Sequence, residues 1–128
     1  MTALPTLMQS FEASLTRLKE VLDAEDTPFN RDASIQRFEF TVELGWKCIQ
    51  SFMQGQNISC RSPNECLKEA FKFELVEDDP IWLEMLKDRN LTSHTYQEAT
   101  AMAVLKKVPG YLNKLMELKN ALIKESSK

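Results

Sequence analysis

The most constraining feature of this chain is the spacing of its large apolar residues. Leu4, Leu7, Phe11, Leu15, Leu18 and Leu22 follow one another at alternating steps of three and four. That is the period of a single apolar stripe along an α-helix, not of a strand. The pattern predicts a first helix over Leu4–Leu22, broken by the acids, proline and asparagine of residues 23–30. A second helix is expected from about Arg31 to Gln54, with a stripe of Ile35, Phe38, Val42, Ile49 and Met53 and with Trp46 beside it. Phe40 and Leu44 fall on nearly the opposite side, so this helix has two apolar patches to cover. Between the patches runs a polar stripe of Asp32, Gln36, Glu39, Glu43, Lys47 and Gln50. At about 1.5 Å per residue such a helix is about 36 Å long, enough for the spine of a bundle.

After a loop at Gly55–Arg61, the run Ser62-Pro63-Asn64-Glu65 reads as a helix start. Serine is suited to the cap, proline to the first position and glutamate to the third. Leu67, Ala70 and Phe71 continue that helix. Asp79 is the expected cap of the next, with Ile81, Trp82, Met85 and Leu86 behind it. A last helical segment runs from about Thr92 to Glu125, with a kink or short break expected at Pro109-Gly110. No segment alternates with a strand's period. The expected fold is all-α: a single domain over residues 1–128, an antiparallel four-helix up-and-down bundle with an extra short helix.

Rare residues narrow the chemistry. The three glycines, Gly45, Gly55 and Gly110, are far apart, so no Gly-rich phosphate loop is present. Three cysteines, Cys48, Cys60 and Cys66, form no CxxC pair, and His94 is the one histidine. No zinc-type ligand cluster follows from these, and no cofactor or metal is expected. Reduced thiols and a cytoplasmic location are the simplest expectation. No apolar run approaches the ~18 residues of a membrane span, and the N-terminus lacks the basic, then apolar pattern of a signal peptide. A net charge of -3 means that any contact with nucleic acid must be local.

One stretch concentrates functional groups. Residues 87–98 read KDRNLTSHTYQE and hold His94, one of two tyrosines, Arg89, Asn90 and three hydroxyl residues. Histidine suits proton transfer near neutral pH, and arginine suits a phosphate group. Together they suffice for RNA cleavage by internal transesterification. A base takes the ribose 2′-OH proton while a cation stabilises charge on the phosphorus oxygens. On one continuous helix Arg89 and His94 would stand about 140° apart, whereas Arg89 and Tyr96 would align. Convergence of Arg89 and His94 therefore requires that a helix begin between them or that a second chain complete the site, as in a symmetric dimer. On spacing alone the plainer readings are preferred: a capping or solvated histidine, Glu43–Lys47 as a surface ion pair, and Trp46 and Trp82 as core.

The run Arg31-Asp32-Ala33-Ser34-Ile35-Gln36-Arg37-Phe38-Glu39-Phe40-Thr41, with Glu43-Leu44 and Trp46-Lys47, resembles the second-helix signature of the nucleotidyltransferase substrate-binding proteins, part of the HEPN superfamily. Ser62-Pro63, Ala70-Phe71, Trp82 and the run from Asp88 to Tyr96 are similar to the same family in the same order, so the resemblance extends from about Leu15 to Leu118. It implies a helical homodimer encoded beside a minimal nucleotidyltransferase. It further implies a metal-independent endoribonuclease toxin with an Arg-x4-His-x-Tyr motif, which the partner silences by AMPylation of the motif tyrosine. Carried over, Arg89 and His94 become the catalytic pair and Asn90 the polar residue after the arginine. Tyr96 becomes the AMP acceptor, and RNA or a nucleotide would lie in a dimer cleft. The acidic stripe of Asp32, Glu39 and Glu43 would orient Arg89. The alternative within the same family is a non-catalytic substrate-binding subunit of a two-component nucleotidyltransferase. A structural dimerisation module with a degenerate site is a third option. The transferase role itself is excluded, because the Gly-Ser turn it needs cannot be built from glycines at 45, 55 and 110.

Overall fold

A computed structural model describes residues 3–94 and 97–128. Among the described residues there are five α-helices and no strand: α1 (Leu4–Leu22), α2 (Pro28–Gly55), α3 (Pro63–Lys72), α4 (Ile81–His94) and α5 (Glu98–Ser126). The architecture is the all-α bundle, with the 10-residue α3 as the short extra helix.

The start signals act locally. Thr27 caps α2 by accepting a hydrogen bond from the Asn30 N–H at 3.1 Å, with Pro28 at the first position. This cap moves the start of α2 three residues ahead of the expected Arg31. Ser62 caps α3 by accepting from the Glu65 N–H, and the Glu65 carboxylate in turn accepts from the Arg61 N–H at 3.1 Å. The return bond of this capping box thus reaches one residue beyond the cap. Asp79 accepts from the Ile81 N–H at 3.0 Å at the head of α4.

The core is a continuous cluster in which all five helices take part, including Phe11, Leu18, Phe38, Ile49, Met53, Leu67, Met85, Val108 and Leu118. Phe38 stacks on Tyr111 with ring centroids 5.5 Å apart. The α1–α2 pair runs antiparallel, and its centre holds a buried hydroxyl pair, Ser14 with Thr41 at 2.6 Å. Gly45 marks the closest approach: a Cβ there would stand 3.3 Å from Leu115 and 3.4 Å from Phe11. The Leu115 contact is tighter than most Cβ contacts, so α5 is the neighbour that favours glycine there, while Phe11 on α1 sits at ordinary van der Waals distance.

Three sequence expectations are corrected. Residues 92–94 belong to α4 and not to the last helix, so no helix begins between Arg89 and His94. Of the kink or short break expected at Pro109-Gly110, the break is absent: the last helix runs through both residues as one element. The proline's missing donor costs one backbone bond, and the buried stripe of Val104, Val108, Tyr111, Leu112 and Leu115 holds both halves on one core. Finally, Cys60 and Cys66 are joined in a disulfide that ties the loop after α2 to α3, and Cys48 is the free, buried thiol. The expectation of reduced thiols fails for that pair because the α3 turn folds residue 66 back onto the loop. Among the described residues no helix is long and apolar enough to cross a membrane.

Candidate functional site

The site is built where α2 and α4 lie antiparallel. The Arg89 Nη2 group donates to Glu43 Oε2 at 3.1 Å, and one turn further along Thr92 and Ser93 both donate to Glu39 Oε2 at 2.8 Å. The two carboxylates, four residues apart on α2, thus meet the C-terminal half of α4 group by group. The same Glu43 oxygen also accepts from the Trp46 indole N–H at 2.9 Å, and Lys47 stands 3.5 Å from the other oxygen. The surface ion pair preferred on spacing is therefore present, but it is the outer half of a larger hub. Exposed pairs of that kind contribute little, whereas the shared Glu43 oxygen fixes the guanidinium in place.

Arg89 is only 29% exposed. Its Nη1 group approaches Asn90 Oδ1 at 3.3 Å, and its Nε atom is buried without a hydrogen-bond partner. A guanidinium carries more N–H donors than these two contacts use. Among the described residues Arg89 is thus a permanent cation that Glu43 holds and whose N–H donors are not all used.

Under Arg89 lies a second network that the sequence reading missed. Asp88, 4% exposed, accepts from the Tyr111 hydroxyl, and Lys107 Nζ stands 2.8 Å from the same oxygen. Lys107 also reaches Glu84 at 3.0 Å. Burial, the hydrogen bond to Asp88 and the nearby carboxylates push the Tyr111 phenol well above its ordinary range, so it stays protonated and donates. Hydrogen bonds to Asp88 and Glu84 raise the Lys107 ammonium above its usual value. This cluster locks α4 to α5 directly beneath the arginine. A signal was available: one tyrosine in a stripe of valines and leucines requires a partner for its hydroxyl.

The other predicted residues are distributed as follows. Asn90 is exposed next to Arg89. Asp32 is exposed on α2, seven residues before Glu39. His94 closes α4. The Tyr96 position and the His94 side chain lie outside the described residues. Along one helix the Arg89 and His94 positions stand about 140° apart, so within one chain they take different faces. Trp82 is core, as expected, but Trp46 is half-buried and belongs to the site. A cavity of about 350 Å³ opens beside Arg89, lined by Glu43, Trp46, Ser62, Asn64, Leu86 and Asn90 among others. No group of three or more His, Cys, Asp and Glu side chains that could hold a metal ion occurs among the described residues.

Fold and geometry together define an all-helical bundle in which an arginine on α4 is held by a carboxylate on α2. Residues 6–124 match the family described as nucleotidyltransferase substrate binding protein like, and the chain belongs to that family. A Haemophilus influenzae protein named probable ribonuclease HepT is 34% identical over 84 residues, which take in 62% of this chain and 58% of that relative's length. A crystal structure of a Thermus thermophilus protein superposes with a TM-score of 0.82 at 35% identity, covering 88% of this chain and 98% of that one. A second solved structure, from Haemophilus influenzae, is described as revealing the fold of a substrate binding domain of a nucleotidyltransferase. It superposes with a TM-score of 0.67 at 27% identity, covering 93% of this chain and 96% of that one.

Proposed function

We propose that the chain is the helical partner of a minimal nucleotidyltransferase and acts as a metal-independent endoribonuclease toxin in the cytoplasm. Arg89 stabilises charge on the scissile phosphate, and His94 moves the proton of the attacking 2′-OH or of the leaving oxygen. The observation that carries this reading is the Glu43–Arg89 clamp, which holds a partly exposed guanidinium with unused donors on the helix that ends in His94. The name of the Haemophilus influenzae relative, probable ribonuclease HepT, supports it.

Two copies complete the site in this reading. Arg89 and His94 take different faces of α4, so a homodimer brings the arginine of one copy toward the histidine of the other. Leu83 and Leu91 on α4, 52% and 46% exposed, and Phe40 on α2, 49% exposed, supply apolar area for that contact. AMPylation of Tyr96 by the partner enzyme would silence the site.

The test is incubation of the purified chain with single-stranded RNA in EDTA. Cleavage is expected, and it is expected to vanish in Arg89→Ala and His94→Ala. Cleavage that persists in His94→Ala overturns the assignment. The second reading, a non-catalytic substrate-binding subunit, is favoured by the description of the other Haemophilus influenzae structure. It predicts no cleavage but stable association with the nucleotidyltransferase. Intact mass after co-expression separates the two: a gain matching AMP, lost in Tyr96→Phe, supports the toxin reading.

A further inference from the structure

The 350 Å³ cavity beside Arg89 combines an aromatic ring, two side-chain amides and a guanidinium in its lining. It lies between α2, the first turn of α3 and α4, at a size suited to a small ligand. Val42, Pro63 and Leu86 give it an apolar lining, and the Trp46 ring forms part of the wall. That ring is held in place, because its N–H is bound to Glu43. Two side-chain amides stand at the edges. Asn64 makes no side-chain hydrogen bond among the described residues, and Asn90 uses only its oxygen, on Arg89. Arg89 supplies the one positive charge of the lining.

We propose that this cavity seats a nucleobase of the nucleotide whose phosphate Arg89 contacts. A base is planar and apolar on its faces and carries donors and acceptors on its edges. Proteins hold such groups by aromatic stacking and edge hydrogen bonds. Trp46 meets the first need, and the Asn64 and Asn90 amides, each with both a donor and an acceptor, meet the second. Three other hollows among the described residues lack the set, and the 290 Å³ one beside Arg31 and Lys106 has no aromatic ring. The 460 Å³ one near Trp82 has one cation, Lys114, against four carboxylates, Glu74, Glu77, Asp78 and Glu117, and Lys114 is already paired with Glu117 and Asp79. The 410 Å³ one at the disulfide loop has Arg61 but no aromatic ring. The inference rests on Arg89 as the phosphate contact, but it requires no cleavage and holds equally for a ribonuclease or a substrate-binding subunit.

Equilibrium binding of the full chain to the four ribonucleoside 5′-monophosphates and to ribose 5-phosphate tests it. At least one nucleotide is expected to bind about tenfold or more tightly than ribose 5-phosphate. That advantage is expected to fall at least about threefold in Asn64→Ala and in Trp46→Ala, and to be largely kept in Trp46→Phe. Arg89→Ala weakens nucleotide and sugar phosphate alike. Equal binding of nucleotides and ribose 5-phosphate overturns the base seat, as does an advantage that Asn64→Ala leaves unmoved. Asn64 is exposed, so this variant decides the matter if Trp46→Ala does not fold. A base advantage without RNA cleavage sinks the ribonuclease reading alone; cleavage without a base advantage sinks the seat alone.

Discussion

Arg89 on α4 and Glu43 on α2, 46 residues apart in sequence, meet at 3.1 Å, and the same Glu43 oxygen takes the indole N–H of Trp46. The guanidinium is thereby aimed before any ligand arrives. Glu43→Gln keeps the shape but removes the charge that holds Arg89. We expect RNA cleavage to fall about tenfold or more through lost orientation, with a smaller effect on the urea midpoint because the amide oxygen can still accept from Arg89 and Trp46. A parallel loss of activity and stability would show that Glu43 is merely structural.

The Asp88–Tyr111 contact is different, because it is buried. Tyr111→Phe leaves the Asp88 carboxylate short of a donor and is expected to cost about 1–3 kcal/mol. Urea unfolding monitored by circular dichroism measures it. A midpoint equal to that of the parent chain would contradict the buried network.

Stability is expected to decline at alkaline pH. Burial raises the Cys48 thiol from 9.0 to about 12. Tyr111 and Lys107 are both shifted upward from ordinary values of 10.0 and 10.5. Each group binds its proton more tightly when folded, so its contribution is complete below the unfolded value and is lost as pH rises towards the folded one. Unfolding curves should be flat up to about pH 9 and then fall. Tyr111→Phe should make that decline shallower.

Glu74 ends α3 with φ 61, a left-handed conformation that L side chains adopt at a cost. Its turn is closed by the Leu75 N–H on the Ala70 carbonyl at 2.9 Å. Glu74→Gly relieves the Cβ crowding and should stabilise the chain by about 1 kcal/mol. A thermal melt that moves down would refute this.

Thiol counting checks the cysteine assignment. Native protein purified without reductant should resist maleimide at neutral pH, since Cys48 is buried and Cys60 and Cys66 are bonded. Denaturation should expose one reactive thiol, and denaturation with reductant all three cysteines. Two or more labelled sites before reduction would rule out the Cys60–Cys66 bond.

Much of the fold could be read from the chain because helix signals are local. The α1 stripe from Leu4 to Leu22, the Ser62 cap and the Asp79 cap each depend on neighbours within a few residues. The departures arise where distant parts decide. Pro109 weakens a helix by itself, yet the shared core carries α5 through it. Glu43 looks like half of a surface pair until α4 lies against it and Arg89 reaches over. Trp46 has the phase of a core residue, but the indole N–H finds Glu43 and leaves the ring on a cavity. Tyr111 signals locally that its hydroxyl needs a partner, but which residue supplies it has no local trace, because α4 and α5 must pack before Asp88 reaches it.

Asp88 and Arg89 are consecutive, yet one faces the interior and the other the site. The labour of this turn of α4 is divided between adjacent codons. Changes at Asn90, Leu91 or Ser93, all on the outer side, leave the inner anchor intact. A genetic selection for loss of activity should therefore recover variants at those outer positions as full-length, well-folded protein. Substitutions at Asp88 should be recovered as degraded chains. In the ribonuclease reading, the bundle can in this way lose its activity by drift and persist as a scaffold.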